Sequence, residues 1–302
     1  MTRTPLPTGP VDVYARGRAV ARYETEGPAD PRLAPRPYLH PVRTLGGTVV
    51  TEALPDDHPH HLGACVALAD VAGHNFWGGS TYVPATGPTH LANHGTQLHR
   101  AFTARTPGGF TELLDWHTAE GRRLLREERT LTALPLDARS WALGLGFTLT
   151  NTAGAPLSLG SSHTNGRRGA AYGGFFWRAP RAAAAPDVFT PTARGEAAVS
   201  GSRAPWLALA GDGWTLTFAA ASRDTLADAW FVRAAHYPGV GSSLARERRL
   251  ELAPGAAARR RVLTVVTDGR PPAGELAALV RAALAALPAD PAVPGARTAP
   301  PS

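Results

Sequence analysis

The chain has 302 residues, of which 43% are hydrophobic and 18% charged, a globular composition that excludes an extended disordered protein. Its net charge of +7 rests on arginine alone, because none of the 31 basic residues is a lysine. The arginines are scattered, with short runs such as Arg122-Arg123 and Arg259-Arg260-Arg261, so no basic face argues for nucleic acid.

Cys65 is the single cysteine, which rules out a disulfide framework and a thiolate metal cluster. It sits in the apolar run Ala64-Cys65-Val66-Ala67-Leu68, where a small buried hydrophobe is expected. The first residues, rich in Pro and Thr, carry no apolar stretch of signal-peptide type. No window approaches the roughly 18 apolar residues of a membrane span. The expected setting is the cytoplasm, with no membrane partner.

In chain order, residues 1–10 are expected to be a flexible N-terminus, and strand signals run from Val11 to about Val266. The 32 glycines and 28 prolines favour many short strands and tight turns. Residues 121–134 read as a strand. Residues 140–152 alternate, with Trp141, Leu143, Leu145, Phe147 and Leu149 on one face. Asn151-Thr-Ala-Gly then turns into Pro156-Leu-Ser-Leu. Residues 206–219 read as a hairpin, because Asp212-Gly213 supplies the positive-φ turn between two apolar runs. Residues 250–252 and 259–266 complete the strands. One helix is predicted over residues 275–287, where Leu276, Leu279, Val280, Ala283 and Leu284 recur at helical spacing behind Pro271-Pro272. The fold class expected is all-β, one large antiparallel β-sandwich spanning 11–287, with a disordered Pro/Ala-rich tail at 288–302.

The densest chemical signal is Asp56-Asp57-His58-Pro59-His60-His61-Leu62-Gly63, with three imidazoles and two carboxylates within six residues. In an extended segment His58 and His60 would share a face and His61 would point away. Three readings stand at this point. His58 and His60 can ligate a divalent metal with His94 or Glu128 as a third donor. Neutral imidazoles can pass protons to and from a substrate. Or the histidines brace a polar loop. Glu127 and Glu128 interrupt a strand-like run, and such a carboxylate is either paired with Arg126 or Arg129 or points into a cleft. Trp77, Trp116, Trp177 and Trp230 are candidate sugar-stacking platforms. The polar loop Gly160-Ser-Ser-His163-Thr-Asn165-Gly166-Arg167 and the following Tyr172-Gly-Gly-Phe-Phe-Trp177 read as a cleft wall.

Arg36-Pro-Tyr-Leu-His-Pro-Val-Arg43, Asp57-His-Pro-His-His-Leu-Gly63, Asn75-Phe-Trp-Gly78, Glu128-Arg-Thr-Leu131 and Trp230-Phe-Val-Arg233 resemble the successive blocks of the bacterial PmoA family. They run in order over about residues 30–268. The family is labelled methane oxygenase and looks like a relative of the galactose-mutarotase-like super-sandwich proteins, most of which act on sugars. Asn93-His94-Gly95 is similar to the His-Gly step of aldose epimerases. Where many members carry Trp-His-Val-Arg this chain has Phe231, which removes one polar contributor. The oxygenase label fits poorly with a chain that has no membrane span.

These observations lead to the expectation of a carbohydrate-active enzyme acting on a small sugar or glycoside by epimerisation, elimination or cleavage. His60 and His61 are the expected acid/base pair and Glu128 their carboxylate partner. Arg43, His58, His94, Trp116, His163 and Arg233 are the expected substrate contacts. No cofactor is expected. A divalent metal is left open, with His58, His60 and His94 as its ligands. A sugar-binding module without turnover, or a metal-dependent oxygenase or hydrolase, are the alternatives.

Overall fold

Alternation along Ser140–Asn151 decides the architecture. Trp141, Leu143, Leu145, Phe147 and Leu149 all enter the main core, while Ala142 faces the opposite side and joins a second cluster. The protein, analysed as a computed structural model, is described over residues 9–288. The expected flexible N-terminus and tail therefore lie outside the described residues, apart from Gly9, Pro10 and Pro288.

Two antiparallel sheets form the sandwich. One has eight strands, in spatial order Asp187–Phe189, Trp206–Ala210, Trp214–Ala220, Ala257–Asp268, Ser140–Asn151, Arg123–Pro135, Gly109–His117 and Thr96–Thr106. The other has seven, in the order Val11–Ala15, Arg18–Glu24, Tyr38–Val42, Ala64–Ala67, Gly174–Arg178, Gly239–Ser243 and Ala229–Arg233. The expected hairpin is present, with Trp206 opposite Ala219 and Gly213 at φ +75° in its turn. The inner faces bury one continuous core, to which Leu145, Phe147, Phe218 and Val262 come from one sheet and Val66, Phe175, Trp177 and Val232 from the other.

Each sheet also has an outer face, and the two are treated differently. The outer face of the eight-stranded sheet is covered by the helix Ala273–Ala286, which buries Leu276, Leu279, Val280 and Ala283 against Ala142, Leu263 and Val265. Each such buried aliphatic side chain contributes roughly 1.5–3 kcal/mol. Pro272 precedes the helix, where a missing N–H costs nothing, and Glu275 lies in its first turn, where a negative charge suits the helix dipole. No described helix is long and apolar enough to cross a membrane.

On the seven-stranded sheet the same period-2 alternation sends Phe176, Arg178, Phe231 and Arg233 outward while Phe175, Trp177, Trp230 and Val232 face the core. Its outer face carries an aromatic layer of Trp77, Phe176 and Phe231 with Tyr172 and Tyr237 packed against it. The loops gathered on this face hold the histidine cluster.

Candidate functional site

The Asp56–Gly63 motif does not form the extended segment expected from its sequence. It makes two consecutive turns, with the His58 N–H donating to the Pro55 carbonyl at 3.0 Å and the His61 N–H to the His58 carbonyl at 2.9 Å. Pro59 occupies the second position of the latter turn, where its fixed φ is favoured. The Leu54 N–H donates to the His61 carbonyl at 2.9 Å and closes the loop at its base. The turns bring all three rings together. His58 stacks on His61 at 4.7 Å between centroids, His60 meets His61 edge-on at 4.8 Å, and His58 and His60 are 5.8 Å apart.

The three rings line a cavity of about 600 Å³, within the ~300–1,000 Å³ typical of small-ligand sites. Tyr237 packs at 4.8 Å from His58 and 5.0 Å from His61. Trp77 and Tyr172 meet at 4.4 Å, and Tyr172 and Phe231 at 5.7 Å, to continue the aromatic wall. Arg167, Arg181, Arg233 and His236 add polar groups to the lining.

Each imidazole has a distinct electrical setting. His58 Nδ1 donates to Asp57 Oδ2 at 2.9 Å, which orients the ring and leaves Nε2 without a protein partner among the described residues. Burial alone would raise the Asp57 pKa, but the hydrogen bond from His58 and the charges of Arg178 and Arg181 outweigh it and hold the carboxyl below its usual range. His60 is pushed down to about 3, by burial first and then by Arg36 and the neighbouring imidazoles. His61 is 1% exposed and is driven further down by burial, His60, His58 and Arg178. Arg178 Nη1 donates to His61 Nδ1 at 3.4 Å, so the neutral ring carries its proton on Nε2. Burial pushes Tyr237 up to about 12, so its hydroxyl stays protonated.

Two buried guanidiniums brace this floor. Arg178 Nε donates to Glu52 at 2.9 Å and its Nη2 to Asp57 at 3.2 Å, with the guanidinium 4.8 Å over the Tyr237 ring. Arg36 donates to the carbonyls of His60 at 2.7 Å and of Trp77 and Ala34 at 3.0 Å. Asn75 Oδ1 accepts from the backbone N–H of Trp77 at 2.8 Å and of Gly78 at 2.9 Å, which shapes the turn that presents Trp77. Gly78 and Gly79 follow at φ +99° and +66° and lie against His60. A Cβ on Gly79 would meet the His60 ring at 2.9 Å, so this close seat requires glycine.

Of the expected residues, His58, His60, His61 and Arg233 line the cavity together. Arg233 pairs with Glu196 at 3.4 Å. Five others do not converge there. Glu128 points outward from the eight-stranded sheet, beside Thr130, Thr148 and Arg259, because Glu127 and Arg129 take the inward positions of that strand. It cannot be the partner of the imidazoles. Trp116 is fully buried in the core, donating Nε1 to Glu127 at 2.9 Å and packing 5.0 Å from Phe76. His94 donates Nε2 to the Gly79 carbonyl at 2.7 Å, behind the glycine on which His60 rests. His163 Nδ1 accepts the Gly169 N–H at 3.0 Å and so braces the loop whose Arg167 and Ala170 reach the cavity. Arg43 Nη1 donates to Gly47 and its carbonyl accepts from Trp141 at 2.9 Å, away from the site. Of the four tryptophans weighed as platforms, Trp77 alone lines the cavity.

Of the expected metal set His58, His60 and His94, His94 lies outside the cavity lining that His58 and His60 share, with its Nε2 donating to the Gly79 carbonyl. No group of three or more His, Cys, Asp or Glu side chains among the described residues is arranged to hold a metal ion. Glu127, the other carboxylate of the interrupted strand, is paired with Arg129 at 2.7 Å inside the core. Tyr23, Gln97 and the Pro37 carbonyl accept the other Arg129 bonds at 2.9, 3.1 and 3.3 Å.

The residues that sequence reasoning passed over are Tyr237, Arg178, Arg181 and the orienting role of Asp57. Alternation along Gly174–Arg178 could have found Arg178, since it shares a face with Phe176. Nothing local marks Tyr237 or Arg181. A second groove of about 690 Å³ runs between the Asp187–Phe189 edge strand and Arg270–Ala273. It holds no imidazole, and its charged groups are satisfied by Arg194 and Arg270 pairing with Asp187.

Fold and site together define an antiparallel β-sandwich with an aromatic-walled histidine cavity on the outer face of its smaller sheet. The chain belongs to the family of unknown function DUF6807, whose family model matches residues 10–281. No match is found among curated proteins.

Proposed function

We propose that this cavity is the active site of a carbohydrate-active enzyme. His58, held by Asp57, exchanges a proton with the sugar, and His60 and His61 contact its hydroxyls as neutral imidazoles. The observation that carries this reading is a set of ring nitrogens with no protein partner among the described residues. They are Nε2 of His58, both nitrogens of His60 and Nε2 of His61. None of them is sealed in the interior; they reach the cavity, where a ligand can meet them. A ligand rich in hydroxyls satisfies donors and acceptors alike, and the aromatic wall offers the flat apolar faces on which sugar rings stack.

The roles differ from those expected at first. A ring whose pKa is about 3 is not protonated at neutral pH and has little basicity, so His60 is a poor proton shuttle. His58 is better placed, because a carboxylate on Nδ1 orients the ring and stabilises the imidazolium once Nε2 takes a proton. That proton comes from a substrate hydroxyl or an activated C–H and returns to the product. The likeness of Asp57-His-Pro-His-His-Leu-Gly63 and Asn75-Phe-Trp-Gly78 to the PmoA family, and through it to galactose-mutarotase-like sandwiches, also supports sugar chemistry. A sugar-binding module without turnover is the second reading, favoured by the low basicity of His60 and His61.

The test is incubation of the full chain in D2O with aldoses, uronates and methyl glycosides, followed by proton NMR. Deuterium entering a C–H position, or new product signals that His58→Gln abolishes, is the expected result. Binding without conversion leaves the module, and neither binding nor conversion overturns both readings.

A further inference from the structure

The cavity carries more positive charge than its surroundings neutralise. Arg167, Arg181 and Arg233 line it, and Asp57 is the one carboxylate in that lining among the described residues. Asp57 is already shared by Arg178 at 3.2 Å, Arg181 at 3.5 Å and His58 at 2.9 Å. Glu52 serves Arg178, and Glu196 serves Arg233 while also accepting the backbone N–H of Ala234 at 2.7 Å. Two guanidiniums are left without a carboxylate among the described residues, one at the rim and one under the floor. Arg167 is exposed at the rim, and its side chain has no hydrogen-bond or ion-pair partner there. Arg36 is 0% exposed, and its bonds go to carbonyl oxygens and, at 3.4 Å, to Cys65 Sγ.

A buried cation with no counter-charge is costly, and a ligand anion nearby offsets part of that cost. Burial first, and then the same positive field, keeps His60 and His61 neutral, which leaves their nitrogens for uncharged hydroxyls rather than for the anion. Guanidinium forks match the planar or tetrahedral oxygens of carboxylate and phosphate groups.

We infer that the cavity takes a sugar bearing an anionic group, a carboxylate or a phosphate, which Arg167 receives at the rim while the imidazoles hold the hydroxyls. This deepens the carbohydrate reading and rests on it. The division of labour is by depth: the charged end lies toward Arg167 and Arg181, and the sugar ring lies over His58, His60 and Tyr237.

The experiment is isothermal titration of the full chain with D-glucuronate and D-galacturonate, D-glucose 6-phosphate, D-glucose and D-galactose, and with acetate and inorganic phosphate. The expected result is that one of the anionic sugar classes binds at least ten-fold more tightly than the neutral hexoses and the bare anions. Uronates ahead of the sugar phosphate identify a carboxylate, and the reverse order a phosphate. Arg167→Gln should erase that preference with no change in melting temperature, and Arg167→Lys should keep part of it. Neutral hexoses binding as tightly as the charged ones would overturn the inference while leaving the carbohydrate reading intact. Binding of acetate or phosphate alone, with no sugar of any kind, would overturn both. A preference that survives in Arg167→Gln would remove Arg167 from the site and defeat the inference as stated.

Discussion

His58 and Asp57 are neighbours in sequence, yet the turn between Pro55 and His58 folds the carboxylate back so that His58 Nδ1 donates to Asp57 Oδ2 at 2.9 Å. The same carboxylate is anchored from below by Arg178 Nη2 at 3.2 Å. A ring oriented in this way needs little reorganisation to accept a proton at Nε2. The first prediction follows from this pair. On any sugar that the wild type converts, His58→Gln should lower kcat by ~10²–10⁴-fold, the usual contribution of a positioned acid/base. Asp57→Asn should lower kcat less and broaden the pH profile, since it disturbs orientation rather than the proton acceptor. The melting temperature of His58→Gln should stay close to wild type, because its side chain is 36% exposed.

Acid lability is the second prediction, and its sign comes from His60. The folded pKa is about 3 against an ordinary value of 6.5, so between those values the unfolded chain binds a proton that the folded chain does not. Stability therefore falls as pH drops through this window, by about 1.4 kcal/mol per pH unit for this ring. His61 acts in the same direction. Urea unfolding at pH 7 and pH 5 should show a loss about 2 kcal/mol smaller in His60→Gln than in wild type. Equal losses in the two proteins would mean that His60 is protonated in the fold.

The glycine seat of His60 gives a third. Gly79→Ala adds a Cβ at 2.9 Å from the ring at a φ of +66°, so both the backbone and the imidazole must shift. The backbone penalty alone is of order 1–3 kcal/mol. Sugar affinity should fall more than in Gly73→Ala, where φ is +89° but a Cβ meets nothing within 4 Å. Comparing the two variants by titration separates displacement of His60 from general strain.

Core positions supply the contrast. Phe147→Ala and Trp141→Ala empty sites that are 2% and 0% exposed, and each should cost about 3–5 kcal/mol. Glu127→Gln removes the carboxylate from a buried pair with Arg129 and should also be costly, about 3–5 kcal/mol. Denaturant melts of these variants beside His58→Gln check the division between scaffold and site.

The fold was legible because its signals are local. Alternation at 140–151, the Asp212-Gly213 turn and the stripe from Leu276 to Ala283 each point to one structure, and all three are observed. The histidine cluster was legible as a density of ionisable groups, but its geometry was not. An extended segment and a double turn fit the same letters, and the choice was made by Pro59 together with closure from Leu54 to His61. Glu128 misled because a carboxylate in a strand shows only its face, not which of two sheets it belongs to or what lies beyond that face. Trp116 misled for a similar reason: an aromatic platform and a core aromatic have the same pattern until Glu127 is seen beneath its Nε1. Tyr237 and Arg181 reach the cavity from loops that carry no periodic signal.

The central claim is that the imidazoles of His58, His60 and His61 meet a sugar in one cavity, His60 and His61 as neutral groups. Long-range proton–nitrogen NMR of the imidazole rings at pH 7, recorded during titration with the tightest-binding sugar, tests it most directly. The account predicts neutral rings throughout for His60 and His61, with His61 protonated on Nε2, and ligand-dependent shifts at the unpartnered nitrogens of all three residues. Sugar binding that leaves all three rings unshifted, or a cationic His60 or His61 in the free protein, would contradict it.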